Sequence, residues 1–127
     1  MIEKIYPPGA PAPKGPYTPA VRAGDFIFLA GQVAPDPGDI RHETRQVLSN
    51  MKLVLEGAGA SLADVAKVGV YLLDGADFAA MNEVYTEFFG MLKPARTTIV
   101  CSFMSNIRIE VDCVAYKPAP GGSPAAG

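Results

Sequence analysis

From Ile107 to Ala115 every odd residue is apolar (Ile107, Ile109, Val111, Cys113, Ala115), and Arg108, Glu110 and Asp112 stand between them. Side chains alternate between the two faces of a strand, so this segment reads as a strand buried on one side and charged on the other. Slipping it by one residue would drive three charges into the core. The chain must therefore build a sheet with one covered face. The stretch before it, Arg96 to about Phe103, places Thr97, Ile99, Cys101 and Phe103 at odd positions. The two read as strands of one hairpin, joined through Met104-Ser105-Asn106. If odd residues face the core in both, Arg96 and Thr98 share the opposite face with Arg108, Glu110 and Asp112, provided no bulge flips the register. An arginine and two carboxylates would then converge on one sheet face.

Two segments have the spacing of covering helices. Val47, Leu48, Met51, Val54, Leu55 and Ala58 mark one helical face that stops at Gly57 and Gly59. Phe78, Met81, Tyr85, Phe88, Phe89 and Leu92 mark a second, with Asp77 as N-cap and Gly90 and Pro94 bounding its end. Between them Ser61 to Asp64 reads as a capped turn and Val65 to Leu73 as an apolar strand. A further strand, Phe26 to Ala30, is entered through Ala23-Gly24-Asp25 and left through Gly31-Gln32. Glycine there suggests close approach by another backbone or a ligand. The opening PPGAPAPKGPY excludes a helix. Two helices cover only one side of a sheet. The other side, carrying Val100, Val114 and Tyr116 among its charges, is too apolar to stay wet, which points to a homo-oligomer with polar clefts between chains.

Composition narrows the chemistry. A length of 127 residues is one ordinary domain. The domain is expected over 1–117, with a disordered tail over 118–127, where PAPGGSPAAG offers no large apolar anchor. A net charge of −2 and a pI near 5.3 disfavour nucleic acid. No apolar run approaches a membrane span and the first residues lack a leader pattern, so a cytoplasmic location is expected by default. Cys101 and Cys113 read as reduced core residues. With His42 alone, and that expected in solvent, a zinc site or a serine-histidine nucleophile is hard to assemble. A general base would then be a carboxylate.

Gly15-Pro16-Tyr17, Gly31-Gln32, Asn50, Asp77-Phe78, Asn82-Glu83-Val84-Tyr85, Phe88-Phe89, Pro94-Ala95-Arg96 and Ile109-Glu110 occur in an order that resembles the reactive intermediate deaminase family. This family is also called RidA or YjgF-like, and often endoribonuclease L-PSP-like. The resemblance covers about residues 7 to 116. It implies an α+β, chorismate-mutase-like subunit with a mixed sheet of about six strands and two helices on one face. It further implies a trimer with active sites at subunit interfaces, and hydrolysis of 2-imino or 2-enamino acids to 2-keto acids and ammonia without cofactor or metal. By the same resemblance Arg96 binds the substrate carboxylate, Glu110 handles water, and Tyr17, Gly31 and Asn82 line the site. Thr98 stands where the family contributes a backbone carbonyl. Ala30 replaces a common serine, Met104-Ser105 a common Leu-Pro, and Glu43 a common glutamine, which bears on substrate range.

Each assignment has a plainer rival. A guanidinium grips a carboxylate through two parallel hydrogen bonds, but Arg96 could equally pair with Glu110 or Asp112 across the hairpin. Glu110 could move a proton or merely answer Arg96 or Arg108. Asp112 is as readily structural as functional. Asn82 lies beside an apolar stripe and needs a partner, either backbone near the Arg96 strand or a ligand. Tyr17 could line a cleft or pack its own loop. Two further functions stay open: a non-catalytic trimer that binds small carboxylates in a regulatory role, and ribonuclease activity, against which the acidic balance argues.

Overall fold

The computed structural model describes residues 1–120; of the expected tail over 118–127, residues from 121 onward lie outside the described residues. Six strands form one mixed sheet: β1 Ile2–Ile5, β2 Ala20–Ala23, β3 Phe26–Val33, β4 Val65–Leu72, β5 Ala95–Val100 and β6 Ile109–Tyr116. Helices α1 (Ile40–Gly57) and α2 (Phe78–Phe89) pack on one face. The spatial order is β1-β2-β3-β6-β4-β5. β6 slots antiparallel between β3 and β4, and β5 pairs in parallel with β4 at the sheet edge. The α2 crossover supplies the return path that a parallel pair needs.

Helix α1 begins where Asp39 accepts a hydrogen bond from the His42 backbone N–H at 2.8 Å, the expected work of an N-cap aspartate. It starts earlier than its apolar stripe alone indicates. Val47, Leu48, Met51, Val54 and Leu55 are buried as the spacing predicts, and Ile40, Glu43 and Thr44 join them. Two exposed ion pairs, Arg41 with Glu83 and Arg45 with Glu87, follow the same order along both helices, which therefore run parallel. In α2 Met81, Val84, Tyr85 and Phe89 are buried, whereas Phe78 is exposed, as is Leu92 in the turn beyond its end. Asp77 occupies the N-cap position but makes no capping bond; Asp74, just before it, accepts from the Ala76 N–H at 2.9 Å. The turn at Ser61 closes as expected, with the Asp64 carboxylate accepting from the Ser61 N–H at 2.9 Å.

The core lies between helices and sheet. In β6, Ile109, Val111, Cys113 and Ala115 point into it. In β4 the even residues Val68, Val70 and Leu72 do so, directly opposite Cys113, Val111 and Ile109. β5 inherits its facing from β4, because Val68, Val70 and Leu72 pair with Arg96, Thr98 and Val100. This overturns the hairpin reading: β4 separates β5 from β6, and the even residues of β5 lie on the helix side. Arg96 and Thr98 are therefore on the opposite surface from Glu110 and Asp112, and Val100 leaves the open face for an exposed position at the helix-side edge.

Candidate active site

The open face of the sheet carries the acidic half of the site. A bulge in β3 sets Ala30 and Gly31 between Leu29, which pairs with Cys113, and Gln32, which pairs with Val111. The extra residue reverses the alternation, so Gln32 turns inward and Val33, opposite Glu110, turns outward. Gly31 leaves room for the Glu110 carboxylate, which a Cβ at this position would push aside. Gly69 makes a matching notch on the other flank, where a Cβ would collide with the Asp112 carboxylate. The Tyr71 hydroxyl donates to Asp112 Oδ2 at 2.9 Å. Both carboxylates are thus seated in glycine notches on one face.

Glu110 borders two clefts. One, of about 280 Å³, is lined by Tyr17, Ala30, Gly31, Val33 and Glu110. The other, of about 310 Å³, lies between Glu110, Val33, Tyr71 and the segment Cys101 to Ser105, with Ile107. Loss of hydration raises the Glu110 carboxyl above its usual range, and the neighbouring charge of Asp112 adds to the rise. The hydrogen bond to Asp112, then burial, raises the Tyr71 phenol. Tyr17 fits both of its readings: its ring borders the cleft, and its hydroxyl accepts from the Lys14 N–H of its own loop at 3.4 Å.

The cationic half is on the helix side, at the edge made by β5. The Arg96 guanidinium lies 4.7 Å from the Tyr85 ring centroid and 5.7 Å from that of Phe78. Stacking of this kind leaves the planar N–H fork free to bind. Among the described residues Arg96 forms no ion pair, so its salt-bridge rival falls with the hairpin. Burial raises the Tyr85 phenol, while the Arg96 charge and the approach of an Arg96 N–H to the phenol oxygen draw it down; that approach falls short of full hydrogen-bond geometry, which leaves the buried Tyr85 hydroxyl without another partner. Asn82 lies one helical turn from both Phe78 and Tyr85 and is half-buried. Among the described residues its side chain forms no hydrogen bond, so the expected backbone tie to the Arg96 strand is not made. Thr98 follows Arg96 on the same face.

One chain therefore brings together Tyr17, Gly31 and Glu110, and separately Arg96, Thr98 and Asn82, on opposite surfaces. Tyr71 escaped the sequence reading, and Glu43 entered it only as the replacement of a common glutamine. Tyr71 is hidden in an apolar strand, and only its place two residues after Gly69 marks it. Glu43 is 1% exposed and accepts from the Arg108 N–H at 2.8 Å and the Gly38 N–H at 3.2 Å. It thereby ties α1 to the loops on either side. Cys101, expected in the core, is half-buried and lines the Glu110 cleft; Cys113 is buried as expected. Among the described residues no three of His, Cys, Asp and Glu cluster as metal ligands, and no helix is long and apolar enough to cross a membrane.

The family model for endoribonuclease L-PSP matches residues 8–117. A RutC family protein of Pyrococcus horikoshii is 51% identical, covering 92% of this chain and 99% of its own. The 2-iminobutanoate/2-iminopropanoate deaminase of Dermatophagoides farinae is 39% identical, covering 87% of this chain and 92% of its own. Among solved structures, E. coli TdcF with bound serine is 30% identical with a TM-score of 0.85, covering 91% of this chain and 98% of that one. The E. coli YjgF gene product is 31% identical with a TM-score of 0.84, over 90% and 98% of the two chains. The fold, the family match across nearly all the described residues and these relatives place the chain in the RidA/YjgF family, the group of the endoribonuclease L-PSP model.

Proposed function

We propose that the chain is a cofactor-independent hydrolytic deaminase of 2-imino and 2-enamino acids whose active site forms only between two copies. Arg96 of one copy would face Glu110 of the next, and repetition around a closed ring gives the trimer that the family resemblance implies. The observation that carries this reading is Arg96 itself. It is a half-buried guanidinium backed by aromatic rings, with no acid partner among the described residues, on an edge away from its own Glu110. Such a fork suits a small carboxylate. The resemblance to a named imine deaminase supports the reaction, and serine-bound TdcF supports the ligand class, because serine shares the carboxylate and the nitrogen-bearing α-carbon of an imino acid.

In the proposed reaction Arg96 holds the substrate carboxylate, with Thr98 contributing its carbonyl and Asn82 and Tyr17 bordering the pocket. Glu110 orients a water and takes its proton as oxygen bonds to C2 of the imine. The nitrogen takes that proton back to give the carbinolamine, whose hydroxyl proton then passes by way of Glu110 to the nitrogen as the C–N bond breaks, and 2-keto acid and ammonia leave. A carboxylate with raised proton affinity can both take and return the proton near neutral pH. Ala30 and Val33 add no polar group beside Glu110, consistent with a substrate side chain that needs none.

The test is keto-acid formation from 2-aminoacrylate, and from other amino-acid-derived imines made in situ. Purified protein should accelerate it, and Arg96→Ala and Glu110→Gln should each lose about a hundredfold or more. Co-expressed, the two inactive variants should recover about a quarter of wild-type turnover, because one interface in four then pairs an intact Arg96 with an intact Glu110. No acceleration with any imine would end the deaminase reading. Acceleration without recovery on co-expression would end the split site. A protein that only binds small carboxylates would show no turnover and would retain affinity in Glu110→Gln.

A further inference from the structure

The open face carries a second carboxylate that the proposed reaction does not use. Asp112 is two residues from Glu110 on β6, about 6.6 Å along a strand, and both point to the same side. Its seat is built. Gly69, directly across on β4, leaves room for the carboxylate, and the Tyr71 hydroxyl donates to Oδ2 at 2.9 Å. Tyr71 is itself the cross-strand partner of Glu110 and lines the same cleft. One side chain thus touches the cleft and fixes the neighbouring charge.

We infer that Tyr71 and Asp112 form a positioning pair for Glu110, a charge clamped beside it that sets the pH window in which Glu110 exchanges a proton. This rests on the reading of Glu110 as the proton-handling group. Two carboxylates at this separation disfavour joint ionisation. Within one copy the groups facing Glu110 from the other elements do not offset the effect, and the Arg96 charge that the proposed assembly brings from the next copy is the same whichever residue stands at 112. β3 presents Gly31 and Val33, the N-terminal loop presents Tyr17, and the segment after β5 presents Cys101 and Ser102. The cations nearest in sequence or register are engaged elsewhere: Lys67 donates to Thr97 Oγ1 at 2.7 Å, and Arg108 Nε donates to the Gly38 carbonyl at 2.9 Å. The raised proton affinity of Glu110, caused first by burial and then by Asp112, agrees with this arrangement.

The pair can be tested without any assay of turnover, by following the Glu110 carboxyl carbon through a pH titration by NMR. Asp112→Asn preserves the acceptor for Tyr71 and removes only the charge. It should lower the Glu110 midpoint by about half a pH unit or more, equivalent to about threefold in proton affinity. Tyr71→Phe keeps the ring but frees the Asp112 carboxylate to move toward water, and should shift the midpoint the same way by less. Asp25→Asn, remote from the cleft, should leave it unmoved. In the enzyme the acid limb of kcat/KM should shift to lower pH with Asp112→Asn. Folded Asp112→Asn and Tyr71→Phe proteins with the wild-type midpoint would overturn the inference. If the midpoint shifts but wild-type protein hydrolyses no imine, the coupling stands and the deaminase reading fails.

Discussion

Glu43 shows how one buried side chain can tie a helix to the loops beside it. Its two oxygens satisfy the backbone N–H groups of Gly38 and Arg108, and the Arg108 side chain closes the triangle by donating to the Gly38 carbonyl. Glu43→Ala orphans both amides at a cost of about 1–3 kcal/mol for each that stays buried. The variant should melt well below wild type, whereas Glu43→Gln, retaining one acceptor oxygen, should lose less; thermal melts followed by circular dichroism check both. Cys113 makes a contrasting case. Burial, aided by Asp112, pushes its thiol up to about 12. It should stay unlabelled by iodoacetamide at pH 8 until denaturant is added, as peptide mapping by mass spectrometry would show. At this scale the sequence was readable where a residue's duty is local, as for Asp64 in the capped turn at Ser61. It was opaque where duty depends on what lies across the sheet: nothing in the chain order shows that Tyr71 meets Asp112.

Helix α1 is where local chemistry governs an element most directly. Asp39→Ala removes the acceptor for the His42 N–H and should cost about 1 kcal/mol, lowering the melting temperature by a few degrees. A melt that did not move would mean that burial of Val47 through Leu55 alone fixes the start of α1. The same contrast explains which strands could be read in advance. β6 is central, and its alternation states its own facing. β5 is an edge strand with Ala95, Thr97, Ile99 and Val100 all exposed, so its pattern is nearly symmetric and has no such authority. Its facing is set by parallel pairing to Val68, Val70 and Leu72, a long-range choice invisible in a segment that also fits a hairpin to β6. That error put Arg96 beside Glu110 on one face. β1 and β2 escaped notice for a related reason, since four residues each are too few to display a period. The bulge at Ala30 and Gly31 was foreshadowed only by the glycine.

At the scale of the molecule, the open face decides whether a split site can exist at all. Phe26, Phe28 and Tyr116 are each between 40% and 50% exposed there, with Phe26 and Tyr116 in edge contact at 5.2 Å between centroids. Val21 and Val114 lie alongside them, since Val21 and Val114 both pair with Phe28. Full burial of an aromatic side chain contributes about 1.5–3 kcal/mol, and these are already more than half covered, so each adds about half of that when a second copy packs on the face. Phe28→Asp places an unpaired charge in the middle of that patch without touching the covered core. It should yield a folded chain with wild-type helical circular dichroism, a monomer mass by light scattering, and no imine hydrolysis, although Arg96, Tyr17, Gly31 and Glu110 are all present. Monomers that still hydrolyse imines would overturn the split site, because Arg96 and Glu110 face opposite ways within one chain. The coupling of mass to turnover in this variant therefore separates a site shared between copies from any site that a single copy could hold.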